Sequence, residues 1–247
     1  MWHSPLWMSL LARFLFTIGL VLLLYCAYLL LLYMPMAPIN KVDVTMPLQR
    51  VPASRLATEL LPVMQGNFFS MRLDLIQVAL EDVPWIRKAV VRRLWPQTLE
   101  IHIEEHQPIG RWQELVAADN GNAAVPSYVN SIGELFIADI AKSEAARLPL
   151  LSGPPNTVDI VSARYLKLEQ KLKQISLRPK EVSLSRRLSL RVVLDNGSLV
   201  NFGRERPELG FSAKLVRLLD TYKNITQTHG RPARIDLRYP DGLVVAY

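Results

Sequence analysis

Thiols are all but missing from this sequence. Its only cysteine, Cys26, lies inside a long apolar run, so residues 35–247 hold none. That excludes an intrachain disulfide framework, and it suits an oxidising compartment without requiring one. Charge is missing from one stretch: between Phe14 and Asn40 there is no charged residue. The sequence also has no G-x-S-x-G, no P-loop and no G-x-G-x-x-G, which removes the usual signatures of serine hydrolases, NTPases and dinucleotide enzymes. Carboxylates are scattered, and no spacing pairs them for acid–base work. No internal repeat or low-complexity tract is present.

What is there begins with the uncharged run. From Phe14 to Tyr33 nearly every residue is Leu, Val, Ile, Phe or Tyr. About 20 such residues, each rising ~1.5 Å in a helix, match a hydrocarbon core of ~30 Å. Trp2, Trp7, Tyr25, Tyr28 and Tyr33 supply rings suited to membrane interfaces. Pro35 and Pro38 stop the helix. A cleaved signal peptide would carry an apolar region of roughly 7–15 residues and a small-residue cleavage site. This run is longer, and Met34-Pro35-Met36-Ala37-Pro38 offers no such site. A buried core helix would rarely stay apolar on every face. The reading is an uncleaved signal anchor: tail 1–13, transmembrane helix 14–34. Arg13 on one side and Lys41 and Arg50 on the other leave the positive-inside rule close to silent about orientation.

About 210 residues follow the anchor, enough for one large domain or two small ones. The whole chain has formal charge +7, of which only Arg13 falls in the first 40 residues, leaving about +6 for the rest. That excess suits anionic lipid, nucleic acid or an acidic protein partner, and it does not choose among them.

Val42, Val44 and Met46 alternate with polar residues as in a half-buried strand. Pro52 opens a helix with Leu56, Leu60 and Met64 on one face. A second helix runs from about Asp74, able to cap its start, with Leu75, Val78 and Ala79 on one face. Residues 89–93 and 99–105 read as a hairpin around Trp95-Pro96-Gln97, with Leu99, Ile101 and Ile103 inward. Strand–helix–helix–strand–strand makes a compact α+β module over 37–107, closed by Pro108.

The remainder, 108–247, has a different rhythm. Short strands are suggested at 112–117, 128–130 and 134–137, with Asn120-Gly121 and Ile132-Gly133 as turns. Val161, Tyr165, Leu168, Leu172 and Ile175 mark a helix, as do Phe211, Leu215, Leu218 and Tyr222. Leu188, Leu190, Val192 and Leu194 alternate into Asp195-Asn196-Gly197, a strong hairpin signal with 199–202 as the return arm. Residues 234–239 and 243–247 form two last strands around Pro240-Asp241-Gly242.

One catalytic spacing occurs on paper. His102-Ile103-Glu104-Glu105-His106 fits the H-x-x-E-H of inverted zinc peptidases. That chemistry needs a helix, whereas the alternation here says strand, which would put the histidines roughly 13 Å apart at ~3.3 Å per residue. Both therefore read as solvated outer-face residues, with no metal, no cofactor and no enzymatic activity expected. His229, beside Gly230 in a turn, has no evident partner. Asn196-Gly-Ser and Asn224-Ile-Thr are formal glycosylation acceptors, the first better explained as a turn. The doublets Arg87-Lys88, Arg92-Arg93 and Arg186-Arg187, taken as strand residues, place about one charge on each face. With no aromatic residues interleaved for base stacking, nucleic acid is not expected as a partner.

Several stretches together carry a resemblance. They are Pro84-Trp85-Ile86-Arg87, Val91-Arg92-Arg93-Leu94-Trp95-Pro96, Leu99-Glu100-Ile101-His102-Ile103-Glu104-Glu105 and Pro108-Ile109-Gly110-Arg111-Trp112. Further on come Leu148-Pro149-Leu150-Leu151-Ser152-Gly153-Pro154, residues 190–196, Phe202-Gly203-Arg204 and Asp236-Leu237-Arg238-Tyr239. In this order and spacing the chain resembles the FtsQ/DivIB family of bitopic cell-division proteins. The resemblance implies a short cytoplasmic tail, one helix through the bacterial inner membrane, a periplasmic POTRA domain (βααββ) and a β-rich domain with flanking helices. It also implies a septal scaffold, not an enzyme, that binds FtsB and FtsL as an FtsQBL complex and helps control septal peptidoglycan synthesis by FtsW and FtsI. A POTRA-bearing secretion or outer-membrane assembly factor is the alternative. The absence of a following β-barrel pattern and the β domain after Pro108 speak against it. The tail before the helix is very short for the family, and the chain stops at Tyr247 without the polar extension of some members.

The partner site is expected at the last strand, 243–247, which no later segment covers. As a sheet edge it would offer unpaired N–H and C=O groups to another chain. Leu243, Val245 and Tyr247 share one face of it. By the resemblance, Tyr247 stands at an aromatic FtsB contact, and Arg238 and Tyr239 match an Arg-Tyr pair on the preceding strand. Arg187 is a second candidate for a charge pair with FtsB. A central strand buried on both sides is the competing arrangement.

Overall fold

The computed structural model describes residues 5–33, 39–45, 48–115, 126–205, 207, 209–240 and 242–247. Trp2, the Pro35 and Pro38 helix stop, Met46, the Asn120-Gly121 turn, the 116–117 end of a predicted strand and Asp241 lie outside the described residues. The chain divides into two compact units, residues 1–105 and 106–247.

The first unit opens with α1, Pro5–Tyr33. The helix starts earlier than the predicted 14, because Trp7 to Arg13 are helix-compatible and Pro5 fits a first helical position. No described side chain of α1 is buried, and among the described residues it is the one helix long and apolar enough to cross a membrane.

Next come β1 (Lys41–Val44), α2 (Ala53–Leu60), α3 (Leu73–Glu81), β2 (Ile86–Leu94) and β3 (Thr98–Glu105). The sheet order is β1-β3-β2, with β1 parallel to β3 and β2 antiparallel to it. Leu99, Ile101 and Ile103 are fully buried, as the alternation predicts. Leu56 and Leu60 of α2 and Ile76 and Leu80 of α3 supply the other half of this core. Three details differ from the sequence reading. On α3 the inward face is Ile76/Leu80, while Leu75 and Val78 face out and Ala79 is half-buried. Both sets satisfy helical spacing in so short an apolar helix, and packing against β2 selects one. Asp74 makes no cap and instead pairs with Arg72 at 2.5 Å. Val42 and Val44 are also more exposed than a half-buried strand implies, since β1 is an edge strand.

The second unit is a nine-stranded sheet. Its strands are β4 (Pro108–Glu114), β5 (Ser127–Asn130), β6 (Leu135–Phe136), β7 (Leu150–Gly153), β8 (Pro179–Leu184), β9 (Ser189–Leu194), β10 (Leu199–Arg204), β11 (Arg234–Asp236) and β12 (Val244–Ala246). The order is β12-β11-β10-β9-β8-β7-β4-β5-β6. A single turn, α4 (Lys142–Ala145), precedes β7, and α5 (Val158–Leu172) and α6 (Phe211–His229) are the long helices. Val182, Val192, Val200 and Ile235 alternate inward along four neighbouring strands and meet Val161, Leu168 and Leu172 of α5 and Leu215 and Leu218 of α6. Their neighbours Glu181, Arg191 and Arg234 face water. Ser176, at φ 57, ends the turn after α5, and the Leu177 N–H closes back on the Leu172 carbonyl at 3.1 Å.

Candidate interaction site

β12 is an outer strand of its sheet. It pairs antiparallel with β11 on one side only, Val244 opposite Asp236 and Ala246 opposite Arg234. The alternate N–H and C=O groups on its other side find no strand among the described residues, which leaves them able to extend the sheet. Of the two placements considered from the sequence, the central one is therefore not what the fold adopts.

The predicted residues divide around this edge. Leu243 and Val245 are half-buried, Leu243 against the core beneath, while Val244, between them, is 54% exposed. Tyr247 is exposed and stacks on His229 with ring centroids 5.7 Å apart. His229 thus has a partner, and it is the last residue of α6, not a turn residue. Tyr239 is half-exposed. The two tyrosines stand at opposite ends of β12, because Val244 at one end faces Asp236 and Ala246 at the other faces Arg234.

Arg238 and Tyr239 do not lie on a strand. β11 ends at Asp236, whose carboxylate accepts the Arg238 backbone N–H at 3.1 Å and turns the chain. The same carboxylate receives Arg238 Nε at 2.8 and 2.9 Å and Nη2 at 2.6 Å. The Arg238 hydrogen bond holds the Asp236 carboxyl below the ordinary carboxylate range, against the opposing effect of burial. Gly203 makes room for this arrangement. It sits at φ +68, where a Cβ would come within 2.6 Å of Arg238 Cγ.

Arg186 and Arg187 occupy the turn between β8 and β9, so the strand-face argument for that doublet does not apply. With Leu188, Ser189, Arg204 and Arg238 they line an open cleft of about 510 Å³. Arg187 and Arg238, 51 positions apart in sequence, thus border one cationic surface. Sequence reasoning missed Arg186 and Arg204 as part of it, since only the β9–β10 pairing brings Arg204 opposite Ser189. It also missed Arg217. From α6, this residue donates to the carbonyls of Tyr239 (3.0 Å), Pro240 (2.7 Å) and Gly242 (3.2 Å), fixing the loop that presents Tyr239. No sequence signal marks it, because it resembles any other charge on an amphipathic helix.

The arrangement suits recognition. An open backbone edge, flanking tyrosines and a guanidinium cleft can take an extended segment carrying an acidic side chain. Among the described residues no group of three or more His, Cys, Asp and Glu side chains is placed to hold a metal ion, and the two histidines of the H-x-x-E-H spacing have different surroundings. His102 is exposed on β3, and His106 is half-buried, not solvated as expected from sequence. Its ring stacks on Phe136 at 4.2 Å and lies 3.1 Å from the Asn130 amide nitrogen. Phe136 arrives on β6, at long range, which alternation along β3 could not reveal.

Comparison with known proteins fits this architecture. Residues 115–238 match the family model described as Cell division protein FtsQ/DivIB, C-terminal, and residues 37–106 match that of the POTRA domain, FtsQ-type. The chain is 32% identical to cell division protein FtsQ of Burkholderia pseudomallei over 248 residues, covering 99% of this chain and 94% of that protein. It is 32% identical to the Bordetella pertussis protein of the same name, over 73% of this chain and 67% of that one. For that of Nitrosospira multiformis the identity is 29%, over 98% and 97%.

Proposed function

Because the chain belongs to the FtsQ/DivIB family of cell division proteins, we propose that it is a non-enzymatic scaffold of the divisome. In this reading α1 holds it in the bacterial inner membrane with the tail cytoplasmic. The POTRA domain and the β-rich domain lie in the periplasm at the septum. It binds FtsB and FtsL, and through them helps control septal peptidoglycan synthesis by FtsW and FtsI. Nucleic acid has no part in this.

The supporting observation is the open β12 edge ending beside the cleft shared by Arg187 and Arg238. A strand of FtsB added to β12 would draw affinity from backbone hydrogen bonds, and an acidic FtsB side chain would meet the arginines. Depletion of the protein in its host tests the role, with filamentous, undivided cells expected. Cells that divide normally without it would overturn the scaffold reading. Retention of the periplasmic part of FtsB by the detergent-solubilised full chain tests the partner.

A further inference from the structure

The tip of the β2–β3 hairpin carries an aromatic side chain with nothing to cover it. Trp95 is 81% exposed, more than any described large apolar side chain on α1, and Leu94 beside it is 53% exposed. Tryptophan is normally well buried, and its common exposed setting is an interface between apolar and aqueous phases.

The topology says which interface lies nearby. β1 begins at Lys41, paired with Thr98 at the start of β3, immediately after the tip. The Asn40 N–H donates to the Gln97 carbonyl at 3.0 Å, and the Asn40 amide to Gln97 Oε1 at 2.5 Å. The hairpin tip is therefore fastened to the point where the chain enters the POTRA domain. Only residues 34–39 separate that point from Tyr33, the end of α1. Seven fully extended steps reach about 25 Å at most. The opposite end of the sheet, where β2 starts and β3 finishes, has no such tether.

A second loop is drawn to the same end. Arg93, on β2 one residue before Leu94, donates its guanidinium to the carbonyls of Phe69 and Met71. Phe69 is itself exposed. Arg92 and Arg93 are exposed as well.

We infer that the Leu94-Trp95 tip, with Phe69 beside it, inserts into the interfacial layer of the bilayer that α1 crosses. It forms a second, shallow membrane contact that fixes the tilt of the POTRA domain over the lipid. The occupant is lipid and not protein, because the tip is tied by its own strand pairing to the membrane-proximal end of the domain. Trp and Arg at this position also match the composition of membrane-interface belts.

Spin-label depth measurement tests this on the full chain. In a Cys26→Ser background, a nitroxide is placed at Gln97→Cys or at Asp82→Cys, the latter exposed just before β2 at the far end. The protein alone is reconstituted in phosphatidylethanolamine–phosphatidylglycerol vesicles. The expected result is a ratio of oxygen to nickel-chelate accessibility several-fold higher at position 97 than at 82. Adding Trp95→Ser and Leu94→Ser should return position 97 to the value at 82, with the thermal transition unchanged because both side chains are exposed. Equal, water-like ratios at 97 and 82 in the unsubstituted tip would overturn the inference and leave the exposed tryptophan to a protein partner.

Discussion

The Arg238 guanidinium lies along the Asp236 carboxylate, making three hydrogen bonds of 2.6–2.9 Å, and the Asp236 side chain is almost entirely shielded while the arginine stays half-exposed. The arginine bordering the candidate partner cleft is therefore positioned before any partner arrives. Arg234 adds a weaker attraction at 3.8 Å.

A pH dependence follows. The Asp236 carboxyl is held below its ordinary value of about 3.9 chiefly by the Arg238 hydrogen bond. A depressed folded-state value means the unfolded chain takes up the proton first as pH falls. The associated stability is complete above about pH 4 and is lost as pH drops through the folded value. Thermal midpoints measured from pH 7 to pH 2.5 should fall less steeply below pH 4 for Asp236→Asn than for the unsubstituted protein. At neutral pH the variant should be the less stable of the two.

Gly203 is the second support of this arginine. Gly203→Ala forces a left-handed conformation on a residue with a Cβ, costing about 1–2 kcal/mol. Its methyl group would also lie 2.6 Å from Arg238 Cγ, too close for two carbon atoms. Given ~2–4 °C per kcal/mol for a protein of this size, the thermal midpoint should fall by about 2–8 °C. Release of Arg238 from Asp236 should at the same time lower FtsB retention. Loss of stability with full retention would show that the cleft does not need this geometry.

In the POTRA domain, Ile101 is fully buried between α2 and the β1–β3 pairing, opposite Val44. Ile101→Asp buries a carboxyl with no partner, at a cost of several kcal/mol. Ile101→Val removes one methylene and should cost only about 0.5–1.5 kcal/mol. Thermal unfolding of both should show that order, with the Asp variant unfolded or nearly so.

Particular residues show why some of this was legible in sequence. Leu99-Ile101-Ile103 and Leu190-Val192-Leu194 keep strict alternation because one sheet face is covered and the other wet, so pattern and burial coincide. Asp195-Asn196-Gly197 marks its turn because Gly197 adopts φ +89 there. β7 and β8 escaped the reading. Leu150-Leu151-Ser152-Gly153 has no alternation, and β8 opens on a proline followed by charged residues. Both are placed by parallel pairing through the α5 crossover, which no local pattern encodes. At the candidate site, the resemblance expects Arg238 and Tyr239 on a strand. Their loop placement was not legible, because it depends on the Asp236 side chain turning the chain and on Arg217 reaching over from α6.

The last prediction ranks the residues around β12. Tyr239 presents a half-exposed ring on a loop held by three Arg217 hydrogen bonds, so a partner could bury it without first ordering it. Arg187 sits on the rim of an open cleft in which water screens its charge. Buried aromatic anchors dominate interfaces, at about 2 kcal/mol or more on truncation, whereas exposed charges contribute about 0–1 kcal/mol. Tyr239→Ala should therefore weaken binding of the periplasmic part of FtsB by about 30-fold or more, and Arg187→Ala by no more than about fivefold. Arg217→Ala, which never touches the partner in this arrangement, should fall between them by loosening the Tyr239 loop. Titrations with the full-length chain in detergent measure all three, with circular dichroism confirming the fold. Retention at the unsubstituted level by a folded protein carrying both Tyr239→Ala and Tyr247→Ala would move the FtsB surface away from β12.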